Sequence, residues 1–165
     1  MTLEQNIQRL SRTPPFDLLP RDALQLIAFA AEQRKLAADE QLFEEGEPAD
    51  SGFVVLSGAI LLSAGGEGRE RRRVAGPGAL IGENAMIAEV SRRSSARATE
   101  NSVVLRVPRA IFHRVLAEFP KDAARIRASL AARTRKMSEQ LERLRVTAIN
   151  PAQQDGRPPA TAPRP

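Results

Sequence analysis

Between Glu32 and Pro108 the chain is cut into short β-prone runs by closely spaced turn signals, and this excludes most architectures. Gln41-Leu42-Phe43 runs into the turn Glu45-Gly46-Glu47-Pro48, and Phe53-Val54-Val55-Leu56 stops at Ser57-Gly58. Ala59 to Ser63 is a further run, and Gly65-Gly66-Glu67-Gly68 is a hairpin loop from which Arg69 to Val74 returns. Gly76-Pro77-Gly78 turns once more, and Ser94 to Thr99 and Ser102 to Val107 follow, joined by Glu100-Asn101. Roughly eight short strands at this spacing predict a sandwich or jelly roll rather than an α/β sheet.

Helical periodicity flanks this region on both sides. Residues 3–11 fit a short helix broken by Thr13-Pro14-Pro15, and Pro20 opens a second with Leu24, Ile27 and Ala28 on one face. Beyond Pro108, Ile111, Val115, Leu116 and Phe119 mark a third helix that Pro120 ends. A longer one is expected from about Lys121 to Val146, with Leu130, Met137 and Leu144 seven residues apart. That spacing suits packing on the barrel or a two-stranded coiled coil. The expected fold class is therefore α+β: an eight-stranded β jelly roll or barrel with short N-terminal helices and two C-terminal helices, the last one long. Residues 1–15 read as an N-terminal helical extension and 16–146 as the barrel with its C-terminal helices. Residues 147–165, with five prolines and little to bury, read as a disordered Pro/Ala-rich tail.

The stretch IGENAMIAEVSRRSSARA, from Ile81 to Ala98, carries the chemistry. Gly82 permits close backbone approach, and the residues after it can open a helical turn with free N–H groups. Arg92 or Arg93 offers a planar, permanently charged fork for phosphate oxygens, with Ser94 and Ser95 beside it. Glu83 repels an anion, so its useful partner is a neutral donor such as a sugar hydroxyl. A carboxylate and an arginine close together suit a sugar phosphate.

These residues resemble the phosphate-binding cassette of cyclic-nucleotide-binding domains, which runs G-E-x-A, a short gap, then R and small residues. Gly82, Glu83, Ala85, Arg92 and Ala98 fall on that pattern. FEEGEPADSGFVVLSGAI is similar to the family's second and third strands, and VAGPGALIGE to the approach to the cassette, with Ala79 where an Asp is usual. The resemblance implies that Gly82, Glu83, Asn84, Ala85, Arg92, Arg93 and Ser94 bind cAMP or cGMP, the Glu holding the ribose 2′-hydroxyl and the Arg the cyclic phosphate. Counting nine residues from Glu83 selects Arg92, whereas one more residue in the gap, as in some relatives, selects Arg93. In members like the bacterial catabolite activator protein the last helix forms the dimer and covers the base. Here the base-contacting pair falls on Met137 and Ser138, and the Met cannot donate a hydrogen bond.

Other chemistries find little support. With no Cys there is no disulfide, thiol nucleophile or thiolate metal site, and one histidine, His113, rules out a three-His centre. No apolar run of about 18 residues exists, so the chain is expected to be cytoplasmic with no membrane contact. The net charge of +5 is matched by residues 120–146 alone, where eight Lys/Arg face three Asp/Glu. With no Trp or Tyr and only six scattered Phe, a stacking platform for single strands is not expected. The expectation is a stand-alone, non-enzymatic sensor with no cofactor or metal beyond its ligand. It would form a homodimer through the last helix and signal by moving that helix to an unidentified protein effector. Two alternatives stand beside it: a degenerate barrel serving as a protein–protein adaptor, and a truncated transcription regulator binding DNA non-specifically.

Overall fold

The computed structural model describes residues 2–65 and 70–149. Helix α1 (Leu3–Leu10) opens on a capping box. Thr2 Oγ1 accepts from the Gln5 amide at 3.3 Å, and Gln5 Oε1 accepts from the Thr2 amide at 2.8 Å. Its apolar residues Ile7 and Leu10 are buried in the core. Helix α2 (Arg21–Ala30) follows Pro20 and buries Ala23, Leu24, Ile27 and Ala28.

Ten strands follow. They are β1 (Glu32–Leu36), β2 (Gln41–Phe43), β3 (Pro48–Ala49), β4 (Ser51–Ser57), β5 (Ile60–Ala64), β6 (Arg71–Ala75), β7 (Leu80–Ile81), β8 (Val90–Ser91), β9 (Ser95–Ala98) and β10 (Ser102–Pro108). One antiparallel sheet has the order β1-β10-β4-β7, the second β2-β9-β5-β6, and β3 pairs with β8 alone. The expected eight strands are thus corrected to ten among the described residues, and these sheets do not close into a barrel. The count rises because β3, β7 and β8 are two-residue ladders inside stretches that carry turn or loop chemistry.

Strand β4 is buried on both faces, which accounts for its unbroken apolar run. Phe53 and Val55 face Ile60, Leu62, Ala96, Ala98 and Val104 between the two main sheets. Val54 and Leu56 face the helices, in a second core with Leu105 and Val107. That core includes Phe112, Val115 and Leu116 of α3 (Arg109–Glu118). It also takes Ala123, Ile126 and Leu130 from the first turns of α4 (Pro120–Ile149). Pro120 is tolerated there because a first-turn residue has no intrahelical acceptor for its N–H.

The chain divides into two compact units, residues 1–130 and 131–165, so the second begins within α4. The helix runs three residues past its expected end at Val146, and residues 150–165 of the expected tail lie outside the described residues.

Candidate functional site

The cassette leaves β7 through Gly82, whose φ of 68° and ψ of 36° are left-handed, a conformation glycine adopts without a Cβ penalty. A 3₁₀ turn, Glu83–Met86, follows at once and buries Ala85 and Met86. Met86 is seated by a second glycine. A Cβ at Gly52 on β4 would lie 2.8 Å from Met86 Sδ, closer than atoms pack, so Gly52 is the slot that admits this side chain. The turn is thereby fastened to the sheet that carries it.

Arg92 follows β8. Its amide donates to Glu47 O at 2.8 Å, and its carbonyl accepts from the Gly46 amide at 2.8 Å, extending the β3–β8 ladder by one residue. Its side chain is only 8% exposed. The guanidinium carbon lies 4.2 Å from the centroid of the Phe43 ring and 5.4 Å from that of Phe53, within cation–π range of both. Nη1 sits against Gly82, where a Cβ would be 2.5 Å away. Among the described residues nothing accepts a hydrogen bond from this buried Nη1. Burial pushes the Arg92 pKa below the usual arginine value, the carboxylates of Asp50 and Glu47 pull it back up, and Arg106 lowers it again. An arginine so perturbed still carries its charge at physiological pH. The site therefore holds a desolvated cation with a free donor, an arrangement that is expensive unless an anion meets it.

The fold brings Gly82 and Arg92 into contact, with Glu83, Asn84 and Ala85 on the turn that begins at Gly82. Glu83 and Asn84 are half-buried, Arg93 is exposed, and Ser94 is half-buried. Ser95 Oγ accepts from the Glu45 amide at 3.0 Å, so that hydroxyl serves the neighbouring loop. The side chains of Met137 and Ser138 lie outside the described residues. Arg71, Arg72 and Arg73 are exposed on β6, where Arg72 pairs with Glu70 at 2.9 Å.

Phe43 and Phe53 were not among the sequence-derived site residues, and neither were Arg109 and His113, which bond the cassette's backbone from α3. The aromatic pair had a faint signal, since each lies in a short β-prone run. Nothing local ties either run to Arg92. Among the described residues no group of three or more His, Cys, Asp or Glu could hold a metal ion, and no helix is long and apolar enough to cross a membrane.

Comparison with known proteins agrees with this geometry. The family profile described as "Cyclic nucleotide-binding domain" matches residues 33–119. The solved structure of a cyclic nucleotide-binding-like protein from Brucella abortus is 36% identical, with a TM-score of 0.61, covering 68% of this chain and 97% of that one. The regulatory domain of Toxoplasma gondii PKA, solved with cAMP, is 25% identical with a TM-score of 0.65, covering 68% of this chain and 44% of that one. Lysophospholipase NTE1 of Pyricularia oryzae is 31% identical over 123 residues, which are 73% of this chain but only 8% of that enzyme's length. With the profile spanning the cassette and both main sheets, the chain belongs to the cyclic nucleotide-binding domain family.

Proposed function

We propose that this domain binds cAMP or cGMP as a sensor, and we assign no catalysis to it. The observation that carries the reading is the buried Arg92 guanidinium, whose free Nη1 rests against Gly82 beside Glu83. A cyclic phosphate would supply the missing acceptor, and the ribose 2′-hydroxyl a neutral donor for Glu83. Cassette backbone amides and Ser94 complete the phosphate contacts in this reading, with Asn84 and Ala85 shaping the turn. Arg93, being exposed, supplies charge at the rim. The Toxoplasma relative solved with cAMP supports the ligand class. A base-covering role for Met137 and Ser138 rests on the family resemblance alone.

Titration calorimetry with cAMP and cGMP is the direct test. Binding of either supports the reading, and no heat with both overturns it in favour of an adaptor that binds no nucleotide. Glu83→Gln retains the shape but replaces an ionised acceptor with a neutral one. It is expected to lose roughly tenfold in affinity, about 1.4 kcal/mol. A 2′-deoxy analogue should bind the wild type more weakly and Glu83→Ala with little further loss. Additive losses in that cycle remove the direct contact.

For output, we propose that ligand binding reorders α4, through which the domain also dimerises, and that a protein effector reads the change. Ala123, Ile126 and Leu130 root this helix in the core shared with α3, so a shift there reaches α4 without a separate device. Hydrogen exchange over residues 121–146 should slow when nucleotide binds. Equal protection with ligand demonstrably bound leaves a binding module without a moving helix.

A further inference from the structure

Helix α3 turns two side-chain donors onto the backbone of the cassette. Arg109 Nη1 donates to the carbonyl oxygens of Ala49 at 3.1 Å, Ala88 at 3.0 Å and, more loosely, Ala85 at 3.4 Å. One turn further along, His113 Nε2 lies 2.8 Å from the Ile87 carbonyl. A carbonyl can only accept, so this nitrogen carries the proton. The backbone N–H of Arg109 donates to Asp50 O at 2.7 Å, which ties the start of α3 to the junction of β3 and β4, beside the Ala49 carbonyl.

The acceptors are significant. Ala85, Ile87 and Ala88 lie at the C-terminal end of the 3₁₀ turn Glu83–Met86, where carbonyls run out of partners within the turn. Basic side chains that bond such carbonyls act as external caps. Here both caps come from another element, distant in sequence. The nearest carboxylate to Arg109, on Glu89, is 3.8 Å away and 93% exposed, so the bonds to carbonyls dominate.

We propose that Arg109, assisted by His113, is a positioning residue for ligand binding. This rests on the reading of the cassette as a cyclic-nucleotide site. Arg109 touches no ligand atom. It pins the far end of the turn whose near end carries Glu83 and presses Gly82 against Arg92. Without these caps the turn samples orientations in which the carboxylate and the buried cation no longer converge, and affinity falls by the population lost. A lysine at position 109 keeps the charge and three N–H donors, but its shorter stem places them differently from Nη1, the one nitrogen that meets all three carbonyls, so it should restore only part of the effect. Glutamine at 113 retains an N–H donor and should approach the wild type.

The test pairs hydrogen exchange on the unliganded protein with calorimetry against cAMP and cGMP, for Arg109→Ala, Arg109→Lys, His113→Ala and His113→Gln. Arg109→Ala is expected to speed exchange across residues 83–89 while leaving residues 51–57 and 102–107 unchanged, and to weaken nucleotide binding about tenfold. Arg109→Lys should fall between it and the wild type, and His113→Ala should lose a few-fold that His113→Gln regains. Unchanged exchange in the cassette overturns the proposal, as does faster exchange with full affinity. A uniform rise over the whole domain also overturns it, by making Arg109 a residue of general stability. If the wild type binds neither nucleotide, the ligand reading fails, and exchange in the unliganded variants still decides whether Arg109 holds the turn.

Discussion

Replacing Arg92 by alanine is expected to weaken nucleotide binding by about 2–4 kcal/mol, roughly 30- to 1,000-fold, whereas Arg93→Ala should cost under about 1 kcal/mol. The difference follows from burial. Arg92 is 8% exposed and has a free Nη1, while Arg93 points into solvent, where charge is screened. A second consequence separates a ligand role from a structural one. In the free protein Arg92 is largely desolvated and, among the described residues, has no carboxylate at ion-pair distance, only the more distant charges of Asp50 and Glu47 and the rings of Phe43 and Phe53. The ring contacts return about 0.5–2 kcal/mol, less than the several kcal/mol that burying a cation costs after relaxation. Removing the side chain should therefore leave the unliganded melting temperature unchanged or raise it, and abolish the stabilisation that nucleotide adds by mass action. Calorimetry and thermal melts with and without nucleotide measure both. A larger loss in Arg93→Ala would move the phosphate ligand by one position, and a large fall in unliganded stability for Arg92→Ala would make the guanidinium a structural member.

The parts of the molecule legible in the sequence are those whose causes are local. Gly and Pro between β-prone runs mark the ends of β4, β5 and β6, and proline together with periodicity marks all four helices. The cassette was legible because its residues are contiguous and its chemistry is read at fixed spacing. What escaped has tertiary causes. β1 has the sequence EQRKL with only Leu36 buried, so its pairing with β10 leaves no apolar alternation to read. β3, β7 and β8 are pairings too short to carry any propensity signal. Gly52 stands where the family's strand often begins with a larger residue, and only its closeness to Met86 explains the missing side chain. Phe43 is 49 residues from Arg92, and Arg109 is 21 from Ala88, so neither partnership could be inferred before the chain was folded.

Phe112→Ala is expected to destabilise the domain by about 3–5 kcal/mol, the range for emptying a fully buried aromatic site. Phe112 is completely buried, and its ring meets that of Phe16 edge to face, with centroids 6.0 Å apart and planes at 86°. Such a pair contributes about 0.5–1.5 kcal/mol beyond its buried area. The surrounding core joins α1, α2, one face of β4 and β10, and the first turns of α4. Few of these can collapse into the space, because each is also held by its own hydrogen bonds. Urea denaturation should show a lower midpoint with an unchanged slope, the mark of lost stability without a change in the surface exposed on unfolding. The functional consequence is specific, because α3 carries Arg109 and His113 to the cassette carbonyls. A helix that has lost its central anchor should hold those carbonyls less well. Nucleotide affinity should then fall even at temperatures where the variant is fully folded, although Phe112 is a core residue outside the ligand site. A destabilised variant that still binds with wild-type affinity would mean that the cassette keeps its shape without α3, and that Gly52 and Met86 alone hold the turn against the sheet.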